Sequence, residues 1–182
     1  MATVVVPFRS GGKSRLPEEL RVEVALAMLA DVLEAATSHA SRVRLVTDDV
    51  AGRRIAAELG AEVVIDPGGG QGAAVQAALA GIDGVCLVVN ADVPRVRASD
   101  LDALGIPPTA GLFAIVAAAD GTTNALGLPS SDAFLPLYGP GSAARFRAHA
   151  ATLGLDVHDL DLPNLAADVD TAADLEQMGQ RA

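Results

Sequence analysis

Four short runs of hydrophobic residues stand out along this chain. They are rich in valine and contain few polar residues, and they cover residues 3–6, 43–46, 62–65 and 85–89. A strand with one face in water alternates apolar and polar residues, whereas a strand covered on both faces reads as a continuous apolar run. The four runs therefore predict buried strands of a parallel sheet.

The longer segments between these runs have the spacing of helices. Residues 17–38 place apolar side chains such as Met28 and Val32 four residues apart, on one face of a helix. Residues 52–59 and 72–80 predict two further helices, each ending near a glycine. Strand-helix-strand units of this kind form right-handed crossovers, which predicts an α/β fold: a three-layer sandwich on a mostly parallel sheet.

Size and charge narrow the possible functions. The chain has 182 residues, 51% of them hydrophobic, so residues 1–182 are expected to form a single domain. A net charge of -10 argues against nucleic acid or an anionic membrane as a partner, because both require a basic face. Cys86 is the only cysteine, which excludes an intramolecular disulfide. Since the sequence shows neither a basic leader nor an apolar segment of bilayer length, we expect a cytoplasmic protein.

Ligands of parallel sheets bind beyond the carboxyl ends of the strands, so functional residues are expected in the loops that leave these ends. The first such loop, Ser10-Gly11-Gly12-Lys13-Ser14-Arg15, contains the only lysine of the chain. Glycine lets backbone N–H groups approach a phosphate closely, and the ammonium neutralises it. The loop therefore predicts an anion site, unless Lys13 is an ordinary surface charge. The other loops contain residues 47–49, 66–72 and 90–94.

Acidic residues at two distant places in the chain suggest a metal site. Asp92 follows the fourth predicted strand. Near the C-terminus, Asp168 and Asp170 flank Val169, so in an extended segment both carboxylates face the same side. Three carboxylates together suit Mg²⁺, which completes its coordination with water and substrate phosphate. Alternatively, Asp170 or Thr171 caps the last helix, although capping explains only one of the two late aspartates.

Two familiar nucleotide-binding motifs match only in part. Residues 12–14 resemble the end of a P-loop, but Pro7 stands where that motif needs a glycine. Residues 68–73 fit the loose dinucleotide-binding pattern, with Asp92 roughly where a ribose-binding acid is sought. This match follows the third strand rather than the first, and it leaves Lys13 and the late aspartates unexplained. A non-catalytic nucleotide- or dinucleotide-binding module stays as an alternative.

Several short motifs follow one another through almost the whole chain. They are Lys13-Ser14-Arg15-Leu16, residues 27–33, Val46-Thr47-Asp48-Asp49, the loop 66–72, Ala91-Asp92-Val93-Pro94, Thr123-Asn124-Ala125-Leu126, Gly139-Pro140-Gly141-Ser142 and Asp168-Val169-Asp170-Thr171. In number and order they resemble the 2-phospho-L-lactate or phosphoenolpyruvate guanylyltransferases of coenzyme F(420) biosynthesis, which are related to the molybdenum-cofactor nucleotidyltransferases. The resemblance implies a Rossmann-like nucleotidyltransferase fold and Mg²⁺-dependent chemistry.

The same resemblance implies a role for individual residues. The catalytic residues would be Lys13, Arg15 and Asp92. The nucleotide would be bound by Gly11, Gly12, Lys13, Asp66, Gly69 and Gly70. The acceptor, through its carboxylate, would be held by Thr123, Asn124, Gly139 and Ser142. The ligands of Mg²⁺ would be Asp92, Asp168 and Asp170.

The implied reaction transfers GMP from GTP to the phosphate of phosphoenolpyruvate or 2-phospho-L-lactate and releases pyrophosphate. The acceptor phosphate is largely a dianion at neutral pH, so charge neutralisation is needed rather than a catalytic base. Guanine presents N–H donors, for which Asp48, Asp49, Asp66 or loop carbonyls are candidate acceptors. The chain departs from the family pattern at Arg9, where a lysine is expected, and at Val93, where leucine is usual.

The predicted partners are therefore GTP and a small phosphorylated carboxylic acid, with a homodimer as a possible assembly. The nearest enzymatic alternative is a molybdenum-cofactor nucleotidyltransferase, whose pterin acceptor needs a larger cleft.

Overall fold

The structure is a computed structural model that describes residues 2–12, 18–40, 42–105, 111–169 and 174. Strands and helices alternate along much of this part of the chain. The strands are β1 (Thr3–Pro7), β2 (Arg42–Val46), β3 (Glu62–Val64), β4 (Cys86–Val89), β5 (Leu112–Ala117), β6 (Thr123–Leu128) and β7 (Asp156–Asp159). The helices are α1 (Glu18–His39), α2 (Val50–Glu58), α3 (Gln71–Leu79), α4 (Ala98–Leu104), α5 (Ser142–Thr152) and α6 (Pro163–Ala166).

The strands form one sheet in the order β3-β2-β1-β4-β6-β5-β7. β6 runs antiparallel to both of its neighbours, and the other pairs are parallel. The predicted mostly parallel sheet is confirmed. Because β6 is reversed, it begins beside the end of β4, where the backbone N–H of Asn90 donates to the carbonyl of Asn124 at 2.9 Å. This reversal brings the start of β6 to the rim of the sheet at which the parallel strands end.

Successive residues of the central strands face opposite sides of the sheet, as the pleat requires. Val4 and Val6 of β1 pack in one hydrophobic cluster with α1, α2, α4 and α6, and Val5 packs in a second cluster with α3 and α5. All three valines are 0% exposed. Helices thus cover both faces, which confirms the predicted three-layer sandwich. None of the helices in the described ranges is both long enough and apolar enough to cross a bilayer.

The third predicted strand forms, but it is not buried. β3 is the outermost strand on its side of the sheet. Val63 in this strand is 37% exposed, and Ile65 just after it is 59% exposed. A short apolar run does not reveal whether a strand will have neighbours on both sides, so the expectation of burial was wrong. The three predicted helices correspond to α1, α2 and α3, with ends that differ by no more than two residues.

Candidate functional site

The loops that leave β1, β3 and β4 line one cavity at the carboxyl rim of the sheet. The rim follows from the parallel register, in which Pro7 of β1 pairs with Val46 of β2, and Val46 pairs with Val64 of β3. The cavity has a volume of about 250 Å³. Its polar lining comes from Arg9, Asp66, Gln71, Asn90 and Asp92. Of the loops expected at this rim, the structure places residues of 66–72 and 90–94 at the cavity, together with Arg9 after β1.

Arg9 brings a positive charge to the wall of this cavity. Its Nε donates to Asp66 Oδ2 at 2.6 Å, and the backbone N–H of Gly68 donates to Asp66 Oδ1 at 2.8 Å. The hydrogen bond from Arg9 holds the pKa of Asp66 below its ordinary value, and the same bond raises the pKa of Arg9. Asp66 therefore fixes both Arg9 and the glycine loop at the cavity, a role for Arg9 that sequence reasoning missed.

Two of the three aspartates considered for the guanine base already have protein partners. Asp49 precedes α2 and accepts a hydrogen bond from the backbone N–H of Gly52 at 2.8 Å, which caps the helix. Asp66 is engaged by Arg9 and Gly68. Asp48 is exposed and is not among the described residues that line the cavity. Asp49 and Asp66 therefore already hold the protein backbone or Arg9, although a carboxylate has lone pairs for further donors and Asp66 lines the cavity.

A chain of two side-chain amides lies along the cavity and was not anticipated. Asn90 Nδ2 donates to the backbone carbonyl of Thr123 at 3.1 Å, and Gln71 Nε2 donates to Asn90 Oδ1 at 2.7 Å. A carbonyl only accepts hydrogen bonds, so Asn90 must direct its Nδ2 to Thr123 and its Oδ1 to Gln71. Gln71 must then use its Nε2 for Asn90. The network thereby fixes the orientation of the Gln71 amide, and Oε1 is its hydrogen-bond acceptor.

Asp92 and Asp168, far apart in sequence, lie on adjacent backbone segments. The backbone N–H of Val169 donates to the carbonyl of Asp92 at 3.0 Å. Val169 is 4% exposed, whereas Asp168 is half-buried, so the two side chains differ in burial as the predicted alternation requires. The Oδ1 atom of Asp92 is buried. The structure thus places the backbone segments of two of the three predicted metal ligands side by side.

The third aspartate and both predicted phosphate-binding cations, Asp170, Lys13 and Arg15, lie outside the described residues. Their roles stay predictions. Gly11 and Gly12 form a short 3-10 helix (Ser10–Gly12) that directly precedes Lys13 in the chain. Among the described residues, no group of three His, Cys, Asp or Glu side chains is close enough to hold a metal ion.

The predicted acceptor residues lie at the start of β6 and at the start of α5, with Gly139 three residues before that helix. Thr123 and Ser142 are buried, and their hydroxyl oxygens are hydrogen-bonded to each other at 3.0 Å. Asn124 is 2% exposed and directs its amide toward α6, where Nδ2 donates to the carbonyl of Leu165 at 3.0 Å. Thr123 and Ser142 are therefore brought together as the resemblance implies, while Asn124 makes a different contact.

The glycine loop and the predicted acceptor loop face each other across a second cavity. Its lining includes Gly69 and Gly70 on one side and Tyr138 and Gly139 on the other. Gly69, Gly70 and Gly139 have φ angles of 85°, 93° and 113°, a region that other residues rarely adopt. These loop conformations therefore depend on glycine, and the two predicted binding regions are neighbours in space.

Comparison with known proteins places the chain in a family. The model of the family described as "Guanylyl transferase CofC like" matches residues 2–179. The chain belongs to this family. It is 37% identical to the phosphoenolpyruvate guanylyltransferase of Roseiflexus castenholzii over 97% of this chain and 87% of the relative. The membership confirms the family predicted from the motifs.

Two further similarities show the range of this likeness. The chain is 31% identical to the 3-phospho-D-glycerate guanylyltransferase of Phenylobacterium zucineum over 99% of this chain and 90% of the relative. Among solved structures, a nucleotidyl transferase from Methanothermobacter superposes with a TM-score of 0.72 at 17% identity and covers 98% of this chain and 95% of its own. The structural match confirms the Rossmann-like nucleotidyltransferase fold. The two relatives are named for different acceptors, phosphoenolpyruvate in one and 3-phospho-D-glycerate in the other.

Proposed function

We propose that this protein transfers GMP from GTP to the phosphate of phosphoenolpyruvate, or of a close analogue such as 2-phospho-L-lactate, as a step of coenzyme F(420) biosynthesis. The observation that carries the proposal is that Asp92 and Arg9, which lies in the loop that leads to Lys13, line one cavity, while the backbone beside Asp168 is hydrogen-bonded to Asp92. Transfer of a nucleotidyl group needs a place where negative phosphates are brought together and neutralised. At this rim, the aspartates would bind a metal ion, and Arg9 would neutralise the phosphates.

The residues of the site have distinct tasks in the proposed reaction. The acceptor phosphate, already a dianion, attacks the α-phosphorus of GTP, and pyrophosphate leaves with the electrons of the broken bond. Arg9, held by Asp66, faces the cavity in which the phosphates would bind. Lys13 and Arg15, in the following loop, would neutralise the leaving pyrophosphate. Thr123 and Ser142 would hold the carboxylate of the acceptor.

The acidic residues fit a hard divalent cation. Mg²⁺ prefers carboxylate oxygens, and a carboxylate oxygen that is buried, such as Oδ1 of Asp92, is best stabilised by a cation or by hydrogen bonds. We therefore extend the proposal to Mg²⁺ held by Asp92, Asp168 and Asp170. When bound, it would neutralise the phosphates of both substrates.

A product assay tests this function directly. The full chain is incubated with GTP, MgCl₂ and one acid at a time: phosphoenolpyruvate, 2-phospho-L-lactate or 3-phosphoglycerate. We expect release of pyrophosphate and a product with the mass of GMP joined to the acid, formed fastest with phosphoenolpyruvate. Reactions without acid, and reactions with CTP or ATP, are the controls. Pyrophosphate release with none of the acids, together with Mg²⁺-independent NAD binding, would instead favour the non-catalytic module. Turnover only with molybdopterin would favour the molybdenum-cofactor enzymes.

Gln71 is the residue that we propose reads guanine. Its Oε1 is fixed as an acceptor by the hydrogen bond that its Nε2 donates to Asn90. Guanine offers N–H donors on its pairing edge, whereas adenine offers an acceptor at the equivalent ring nitrogen. Changing Gln71 to methionine keeps the length of the side chain and removes the acceptor. We expect the ratio of kcat/KM for GTP to that for ATP to fall roughly tenfold, the effect of one hydrogen bond.

The matched control is Gln76→Met on the same helix, which changes the same chemical group. Gln76 is exposed and lines the second cavity but not the first, so the ratio of kcat/KM for GTP to that for ATP should stay unaltered if guanine is read in the first cavity. If Gln71→Met discriminates between GTP and ATP as well as the wild type does, the base is read elsewhere.

A further inference from the structure

The segment that carries Asp168 crosses the rim of the sheet. We call residues 160–169 the strap. It begins after β7 at the edge of the sheet, contains α6, and ends beside the loop that follows β4, where the backbone N–H of Val169 donates to the carbonyl of Asp92 at 3.0 Å. Between β7 and β4 lie β5 and β6, so the strap passes the ends of two strands before it reaches Asp92. Whatever holds the strap in place therefore sets the position of Asp168 relative to Asp92.

Asn124, in β6, anchors the strap through its side chain. Its Nδ2 donates to the carbonyls of Leu165 and Ala166, at 3.0 Å and 3.3 Å, at the end of α6. Carbonyls in the last turn of a helix have no partner within the helix, so a side-chain donor is well suited to them. The backbone carbonyl of Asn124 also accepts from Asn90 at 2.9 Å. One buried residue thus contacts the chain two residues before Asp168 and two residues before Asp92.

A second anchor holds the other end of α6. Asn164 Nδ2 donates to Asp100 Oδ2 at 3.0 Å, and the same oxygen accepts from the backbone N–H of Arg97 at 2.9 Å. Asp100 is 7% exposed. It therefore joins the first turn of α4 to the strap, while Leu165, which is 0% exposed, packs in the core between the two anchors.

We propose that Asn124 and the Asp100–Asn164 pair are positioning residues that set the affinity of the site for a divalent cation without binding the cation. This inference rests on the proposed function, in which Asp92 and Asp168 hold Mg²⁺. It gives Asn124 a role different from contact with the acceptor, because the Nδ2 that would reach an acceptor carboxylate is directed at α6. Two N–H groups are needed for two carbonyls, which explains an amide rather than a carboxylate or a hydroxyl at this position.

The test measures the binding of Mn²⁺, a paramagnetic substitute for Mg²⁺, to the full chain in the absence of substrates. Asn124→Leu keeps the size and neutrality of the side chain and removes both donors, so no new charge disturbs the cation. We expect the Kd for Mn²⁺, measured by electron paramagnetic resonance, to rise roughly tenfold or more, as for other residues that orient metal ligands. The KM for Mg²⁺ should rise with it, while the KM for the acid at saturating Mg²⁺ should change little.

The control is Ser131→Ala, which removes a hydrogen bond from Ser131 Oγ to the carbonyl of Ile82, at 2.9 Å, near the amino end of β4. It should lower Tm without altering the Kd for Mn²⁺. If Asn124→Leu does not fold, Asn164→Ala at the half-buried second anchor carries the test, with an expected rise of roughly threefold or more in the Kd, smaller than that of a full metal-orienting residue.

Three results would overturn the inference. A lower Tm with an unchanged Kd for Mn²⁺ would show that the anchors are only structural. A selective rise in the KM for the acid would indicate that Asn124 contacts the acceptor. If the wild-type chain binds no Mn²⁺, the proposed metal site itself is contradicted. Results with the variants test only the role of the anchors.

Discussion

Replacing Asp92 with asparagine is expected to lower kcat/KM for guanylyl transfer by roughly 100-fold or more. The substitution preserves size but removes a negative charge from a side chain whose Oδ1 is buried at the rim. A metal ion contributes several kcal/mol of charge stabilisation, and each 1.4 kcal/mol corresponds to about a tenfold change in rate. The measurement is steady-state release of pyrophosphate over a series of Mg²⁺ concentrations.

The matched control is Asp83→Asn, at an exposed aspartate in the turn before β4. It makes the same chemical change near the opposite end of the strand and should leave kcat/KM close to the wild-type value. Thermal unfolding shows whether each variant remains folded. Near-normal turnover by Asp92→Asn would remove Asp92 from the active site and, with it, the main support for the proposed function.

Replacing Gly72 with alanine is expected to destabilise the protein by about 1–3 kcal/mol, which lowers Tm by roughly 2–10 °C. A Cβ at this position would lie 2.5 Å from the Cβ of Pro136 and 2.9 Å from its Cα. Gly72 follows the glycine loop at the start of α3, and Pro136 precedes Gly139 of the predicted acceptor loop. Because the obstacle is the rigid ring and backbone of a proline, the two loops must move apart. We therefore also expect higher KM values for both substrates.

Gly52→Ala provides the comparison, since Gly52 is also a buried helical glycine. Its added Cβ would meet a ring carbon of Phe8 at 3.0 Å, and a side chain can shift more easily than a proline backbone. Calorimetric unfolding of the two variants should show the smaller loss of stability for Gly52→Ala. A Gly72→Ala variant with wild-type Tm and wild-type KM values would contradict the close packing of the two loops.

Continuous valine-rich runs predicted β1, β2 and β4 because burial on both faces leaves a local signature in composition. The same signature misjudged β3, since an outer strand can be as apolar as a central one. The runs gave no indication of the reversal of β6, although that reversal places Thr123 and Asn124 at the rim. Strand direction depends on how distant segments pair across the sheet, and such pairing leaves no periodicity in the sequence.

Within the site, motif order identified Asp66, Asp92 and Asp168 as members of one region, but it could not show what each side chain contacts. Asp66 holds Arg9 and the glycine loop, and Gln71 and Asn90 form an amide chain along the cavity. The available signal was weak: Gln71 ends a glycine loop and Asn90 precedes Asp92 by two residues. Amides are common in loops, so their sequence positions alone do not separate these two from turn residues.

The sequence by itself determined the family, the layered α/β architecture and the places where acidic and glycine-rich loops interrupt it, because these follow from local composition and motif order. Only the tertiary structure decided that the strap returns to β4, that Asn124 points toward α6, and that Val169 lies beside Asp92. The physical reason is that a hydrogen bond between distant segments depends on strand order and register. Those are set by the packing of the whole sheet rather than by any single stretch of residues.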